Sequence, residues 1–206
     1  MIFDVPIYEN RQLINIAAFH PGTTSLGPGK RAILWLQGCL KRCKGCITPE
    51  MQAIKKAEFV HVPKLAHFLN SISGIEGITL VGGEPLLQYK ALSVLLPLIK
   101  ASGLSVMLYT GYLFEEIKAH PSHEMKTVLS HIDILVDGPY EMEKDHGEMW
   151  RGSSNQRIIF LTERYKGWEW VRNVRKRQLS IHYDSEGKYL ILGIPPALMN
   201  NVTKVR

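Results

Sequence analysis

The sequence predicts an α/β protein built on a parallel sheet, and three observations carry that expectation. Short apolar runs of strand length alternate with longer segments of helical periodicity between residues 32 and 161. Glycine and proline punctuate the junctions, as at Gly74, Gly77, Gly103 and Pro121. The polar and glycine-rich clusters suited to chemistry fall just after strand C-terminal ends, the edge at which βα architectures bind ligands. Strand–helix–strand units of this spacing close as right-handed crossovers, which makes their strands parallel.

In chain order, residues 13–19 (LINIAAF) read as a first strand, and Pro21-Gly22 and Gly27-Pro28-Gly29 as turns. Residues 32–36 (AILWL) then pair with it as an antiparallel hairpin. The three cysteines follow, and 47–62 reads as irregular or weakly helical. Pro63 suits the first turn of a helix running to 73, with Leu65, Ala66, Leu69 and Ile72 along one face. A short buried strand at 78–81 (ITLV) is broken by Gly82-Gly83-Glu84-Pro85. A leucine-rich helix follows over 86–101, with Pro97 a kink point. Then come a strand at 105–109 (SVMLY), helices at 114–120 and 123–129, and a strand at 132–136 (IDILV). His120 and His123 read as a surface pair at the helix break. A polar loop over 140–156 leads to a strand at 157–161 (RIIFL).

After Thr162 the character changes. Six Lys or Arg lie within 164–177, interleaved with Trp168 and Trp170. Strands at 178–183 and 188–194 flank Asp184-Ser185-Glu186-Gly187, a hairpin turn sequence. The expected organisation is a core over 1–163 and an appendage over 164–206 that ends in a small β-hairpin.

Apolar residues make up 45% and charged residues 21% of the 206 positions, so the chain can bury a core and is not of disordered composition. The opening MIFDVP lacks a basic region followed by an apolar one, and no apolar run approaches 18 residues. The sequence therefore predicts neither a signal peptide nor a membrane helix, and a cytoplasmic location. The net charge of +6 permits an acidic partner without requiring nucleic acid. For the basic segment, a solvated helix face with Arg172, Arg175, Lys176 and Arg177, a dock for an acidic protein surface and a nucleic-acid contact through stacked Trp faces all stay open, the last least favoured.

All three cysteines lie in Cys39-Leu40-Lys41-Arg42-Cys43-Lys44-Gly45-Cys46, a C-x3-C-x2-C spacing directly after a strand. An odd number so tightly grouped does not suit a disulfide framework. Three thiolates on one short loop can point at a common centre, and three is one fewer than a closed site needs. The expected product is a metal centre with one open position. An iron–sulfur cluster with an open iron explains the spacing best. A zinc site completed by a histidine such as His61, and a set of buried free thiols, are the alternatives. Lys41, Arg42 and Lys44 lie within the loop and favour thiolate.

Four further stretches sit at strand ends. Gly82-Gly83-Glu84-Pro85 offers glycines that allow close backbone approach and a carboxylate acceptor, although it also reads as a plain turn. Tyr109-Thr110-Gly111-Tyr112, Val136-Asp137-Gly138-Pro139 and Gly152-Ser153-Ser154-Asn155-Gln156 are individually no more than strand ends and loops.

Together, and in this order, these five motifs resemble the radical S-adenosylmethionine superfamily, and within it the activating proteins of anaerobic ribonucleotide reductase, which are glycyl-radical-enzyme activases. The resemblance spans about residues 27–161. It implies an incomplete parallel βα barrel, a partial TIM barrel. It implies a [4Fe–4S] cluster on Cys39, Cys43 and Cys46, with S-adenosylmethionine chelating the fourth iron. Gly82, Gly83, Glu84 and Pro85 would hold the cofactor's amino group, and Thr110, Asp137, Ser154 and Asn155 would complete its pocket. One-electron cleavage of the sulfonium would give a 5′-deoxyadenosyl radical that takes hydrogen from a glycine of a partner enzyme. The implied partners are that protein substrate and an external one-electron donor such as a flavodoxin or ferredoxin. Another radical S-adenosylmethionine target, and a non-catalytic electron-transfer or sensing protein, are the competing functions. In the resembled activases an aromatic and then Asn follow the third cysteine, where this chain has Ile47 and Thr48.

Overall fold

The computed structural model describes residues 3–183 and 189–195. In chain order the elements are β1 (Leu13–Thr23), β2 (Arg31–Leu36), β3 (Glu58–His61), α1 (Val62–Asn70), β4 (Gly77–Gly82), α2 (Tyr89–Ala101) and β5 (Ser105–Tyr109). They continue with α3 (Phe114–Lys118), α4 (His123–Ser130), β6 (Ile134–Asp137), β7 (Arg157–Phe160), β8 (Leu179–Tyr183) and β9 (Tyr189–Gly193).

Seven strands form one sheet in the order β3-β1-β2-β4-β5-β6-β7. Its centre, β2-β4-β5-β6, is parallel. The edges are antiparallel: β1 and β3 on one side, β7 on the other. The α/β class with a mostly parallel sheet is therefore the observed one. β7 runs antiparallel for a physical reason: no α-helix lies between β6 and β7, and without a helical crossover the chain simply turns back.

Strand alternation gives the sheet two unlike faces. Ala32, Leu34, Leu36, Ile78, Leu80, Val106, Leu108 and Leu135 point to one face. There they pack against α1, α2 and α4 through Leu65, Leu69, Leu92, Leu95, Leu96, Ile99, Met125 and Val128 in one continuous core. The intervening residues point the other way. Met107, Ile134 and Val136 meet Met149, Trp150, Ile158, Tyr165 and Val171 in a second, smaller cluster. Arg31, fully buried at the start of β2, closes this face at its lower end. Its guanidinium donates to Thr79 Oγ1 (2.8 Å), Ser105 Oγ (2.7 Å) and the Ile78 carbonyl (2.6 Å). Hydrogen-bonding of this completeness is what makes a buried guanidinium tolerable.

Several sequence expectations change. Residues 58–61, read as irregular or weakly helical, form edge strand β3. β1 continues through Pro21-Gly22, and register shifts in its pairing with β2 absorb the proline that suggested a turn. The helix expected from 86 begins with a 3₁₀ turn, Pro85–Gln88, and then stays one helix through Pro97. His120 is not a surface residue. It is buried between Phe3 and Tyr89, with ring centroids 5.3 and 5.2 Å away. The basic segment is not one solvated helix face. It makes two short 3₁₀ turns, Glu163–Tyr165 and Glu169–Asn173, that bury Tyr165 and Val171 against the sheet. β8 and β9 pair as the expected hairpin, while its turn, 184–187, lies outside the described residues.

Candidate active site

A cavity lies at the C-terminal edge of the parallel strands and opens to solvent. Cys39, Cys43 and Cys46 line one side of it, and Gly82, Gly83, Glu84, Thr110 and Gly111 the floor.

The cysteine loop is built from backbone. It leaves β2 at Gly38, whose φ of 100° only glycine adopts easily, and where a Cβ would sit 2.2 Å from the Tyr8 hydroxyl. The irregular stretch after Cys46 wraps back to hold it. Gly38 N–H donates to the Met51 carbonyl (2.8 Å), Cys39 N–H to that of Gln52 (3.0 Å), and Gln37 Nε2 to that of Ala53 (2.7 Å). Lys41 N–H points at Cys39 Sγ (3.4 Å) and Thr48 Oγ1 lies 3.9 Å from Cys46 Sγ. Burial pushes the Cys39 and Cys43 thiols up, so holding them as thiolates falls to a metal. Among the described residues no group of three or more His, Cys, Asp or Glu side chains is close enough to hold a single metal ion. The three cysteines face one cavity, the placement that three thiolate ligands of an iron–sulfur cluster require. His61, the proposed zinc partner, ends edge strand β3 and is not among the cavity's lining residues.

Glu84 is the buried hub of the floor, 1% exposed. Oε1 accepts from Leu86 N–H (3.0 Å) and Thr110 Oγ1 (2.9 Å), and Oε2 accepts from Gly111 N–H (2.7 Å). A carboxylate has about four lone-pair sites, so three are filled and one on Oε2 remains for a further donor. Burial drives its pKa up to about 7 against these stabilising bonds. Gly82 is needed for packing against β2, where a Cβ would lie 2.5 Å from Leu36 N, and Gly83 for packing against the cysteine loop. A Cβ on Gly83 would lie 2.2 Å from the Gly38 carbonyl oxygen, and Glu84 N–H donates to that same oxygen (2.7 Å). Pro85 starts the 3₁₀ turn that carries Leu86 N–H to the carboxylate.

The remaining predicted residues sit beside the cavity rather than in its lining. Asp137 is fully buried at the end of β6, where it accepts from Phe114 N–H (2.7 Å) and is paired with Arg157. Ser154 is exposed. Asn155 donates Nδ2–H to the Pro139 carbonyl (2.7 Å), while its Oδ1 is buried without a partner, an acceptor still to be used.

Comparison with known proteins agrees with this geometry. A 4Fe–4S single cluster domain family matches residues 25–159. The anaerobic ribonucleoside-triphosphate reductase-activating protein of Enterobacteria phage T4 is 34% identical over 157 residues, covering 73% of this chain and 96% of its own. The protein of the same name from Pasteurella multocida (strain Pm70) is 31% identical over 73% of this chain and 99% of its own, and that from Escherichia coli (strain K12) 29% identical over 72% and 99%. This chain belongs to that activating-protein family.

The family match ends at residue 159, yet the cavity does not. Gly193, Ile194 and Pro195 form part of its lining, as do Tyr140, Asp145, Gly152 and Gln156 from the β6–β7 connection. Sequence reading placed Gly152 and Gln156 in a candidate motif without giving them a role, and named none of the others as site residues. Gln156 Oε1 accepts from Gly152 N–H (2.8 Å) and its Nε2 donates to the Gly138 carbonyl (2.9 Å), which folds the loop over the cavity. Lys41, whose ammonium lies 3.8 Å from the Tyr112 ring centroid, joins the cysteine loop to the β5 exit.

Proposed function

We propose that this chain is a radical S-adenosylmethionine activase that installs a glycyl radical on an anaerobic ribonucleoside-triphosphate reductase. The observation that carries the reading is the convergence of the chain's three cysteines with Glu84, Thr110 and Gly111 on one cavity at the parallel strand ends. The donor set fits the cofactors: three thiols and no fourth beside them, one free carboxylate lone pair, and an unpartnered Asn155 oxygen.

When bound, a [4Fe–4S] cluster and S-adenosylmethionine supply a 5′-deoxyadenosyl radical by one-electron cleavage of the sulfonium. The chain's own residues bind and orient. Cys39, Cys43 and Cys46 would hold three irons, and the Lys41 N–H beside Cys39 would offset thiolate charge. Glu84 would accept from the cofactor's amino group through the open site on Oε2, with Thr110 and Gly111 fixing the carboxylate. Gly82, Gly83 and Pro85 keep that carboxylate against the cysteine loop. Asp137 acts one step back, tying β6 to α3, and Ser154 and Asn155 would close the far side. Orientation is the protein's main contribution, because a radical must meet one chosen C–H bond within van der Waals range.

The open-edged sheet is read here as an incomplete βα barrel, with 1–163 the radical core and 164–206 an extension. Electrons would come from an external donor such as a flavodoxin or ferredoxin. No helix among the described residues is long and apolar enough to cross a membrane, in keeping with a cytoplasmic site of action. The test is anaerobic: the reconstituted chain, S-adenosylmethionine, dithionite and the reductase are mixed and followed by EPR. A glycyl-radical doublet on the reductase is expected. Formation of 5′-deoxyadenosine without that signal would move the target to another peptide or small molecule. The cavity lining contributed by Gly193–Pro195, beyond the family match, is the observation that favours such a reading.

A further inference from the structure

The extension after β7 is not an outlying appendage. Its first part packs Tyr165 and Val171 onto the sheet face opposite the helices. Its second part, the β8–β9 hairpin, is tied to the end of β1 and the turn beyond: Thr23 Oγ1 bonds Ser180 Oγ (2.9 Å), and Ser25 Oγ donates to the Leu192 carbonyl (3.1 Å). The His20 and His182 rings stack edge-on at 4.4 Å, and Leu192 is 1% exposed. The hairpin thus leads the chain back so that Gly193, Ile194 and Pro195 reach the cavity.

One side chain connects this return to the site loop. Arg177 lies just before β8, and its side chain and that of Asp145 are 8% and 7% exposed. Its guanidinium pairs with Asp145, and it donates to the carbonyls of Gly152 (2.9 Å), Arg151 (3.3 Å) and Pro195 (3.1 Å). Asp145 in turn accepts from the Tyr140 hydroxyl (3.3 Å). Tyr140, Asp145, Gly152 and Pro195 all line the cavity. Arg175 and Lys176 beside it are exposed, so Arg177 alone of this basic run is turned inward. A guanidinium with a rigid planar fork can hold a carboxylate and several carbonyls at once, which an ammonium cannot.

We infer that Arg177 is a positioning residue that latches the C-terminal extension onto the 140–156 loop, and that the apolar wall so formed by Ile194 and Pro195 determines which protein segment can reach the radical site. This rests on the activase reading above. The wall stands with the β6–β7 loop, whose Glu143 pairs with Lys44 of the cysteine loop (3.4 Å), so it shapes the side from which a substrate chain enters beside the cluster ligands. Its partner is the segment of the reductase that carries the target hydrogen, which meets the apolar side chains of Ile194 and Pro195 on this side of the cavity.

The test uses the full chain with Arg177→Gln, Arg177→Lys and the double variant Arg177→Gln/Asp145→Asn. The double variant leaves no buried carboxylate unpaired and covers the case in which the single change impairs folding. Hydrogen exchange on the metal-free chain is read first. Protection in peptides covering 151–156 and 189–195 should fall together, at least tenfold, in the Gln variants and less in Lys. Steady-state activation of the reductase is read second. KM for the reductase should rise about tenfold with kcat within twofold, and Lys should recover part of the loss. Unchanged protection would overturn the latch. Lost protection with unchanged KM, or a kcat loss without a KM change, would overturn the specificity role. If the wild-type chain forms no 5′-deoxyadenosine at all, the activase reading fails, and the exchange result still decides whether Arg177 latches the wall.

Discussion

On the helical face of the sheet, Leu34, Leu36, Leu80 and Leu108 meet α1, α2 and α4, and the residues between the layers are apolar and fully buried. On the opposite face, the alternate residues of the same strands, Trp35, Val81 and Tyr109, border a cavity with three thiols, a buried carboxylate and backbone glycines. One strand therefore serves two purposes at a period of two residues. The helical face supplies stability through burial. The other face holds polar groups that are costly to bury, such as Glu84 and the unpartnered Tyr109 hydroxyl, which burial also pushes up in pKa. Damage to the two faces should separate: one set of substitutions should unfold the chain and the other should leave it folded and inactive.

The largest separation is expected from Cys43→Ala. It should abolish the cluster's visible absorbance while thermal unfolding of the metal-free chain moves little. A variant retaining a full iron complement would break the assignment. Leu92→Ala, at a fully buried position on α2, should do the reverse. It should cost about 2–5 kcal/mol of stability in urea unfolding, with iron content per folded chain unchanged. Glu84→Ala should keep the cluster and weaken S-adenosylmethionine binding by about 1.5–3 kcal/mol, the worth of a charged hydrogen bond. Unchanged affinity in calorimetry would remove Glu84 from the amino-group site.

Acidity sharpens the same point. Glu84 titrates near 7 because burial disfavours its charge, so it is largely protonated at pH 6. The carboxylate is the form that accepts from an amino group. Affinity for S-adenosylmethionine should therefore rise with pH through this range, by up to about tenfold per unit below 7. In the metal-free chain the sign is opposite. A carboxyl with a raised folded pKa contributes stability present below its unfolded value near 4.5 and lost as pH rises through about 7. Glu84→Gln should flatten both dependences. The smallest contrast is between neighbours. Asn155→Ala removes an unpartnered buried acceptor and should cost about 1 kcal/mol of cofactor affinity, whereas Ser154→Ala, at an exposed position, should cost less than about 0.5.

Much of this was readable beforehand, for identifiable reasons. The parallel strands are legible because Ile33 and Thr79 on one face are as fully buried as Leu34 and Leu80 on the other, which leaves near-continuous apolar runs. The cysteine spacing and the strand-end motifs are local, and local signals survive in sequence. β3 was not readable: Glu58 and His61 are exposed ends of a four-residue edge strand whose pairing comes from β1, more than forty residues earlier. Gly83 has a use that its neighbours in the sequence do not reveal, since the close approach it permits includes that of the Gly38 carbonyl, 45 residues earlier. The cavity wall at Gly193–Pro195 and the Arg177–Asp145 pair depend on contacts 18 to 32 residues apart, and nothing in the local sequence distinguishes Arg177 from Arg175.

The central claim is that the cysteine side and the Glu84 side of one cavity act together to cleave S-adenosylmethionine. Its most direct test is production of 5′-deoxyadenosine by the anaerobically reconstituted chain with dithionite, beside Cys43→Ala and Glu84→Ala. The account predicts product from the wild-type chain at about four irons per molecule, none from Cys43→Ala, and product from Glu84→Ala only at raised cofactor concentration. A full cluster that yields no 5′-deoxyadenosine, or product from Cys43→Ala, would contradict it.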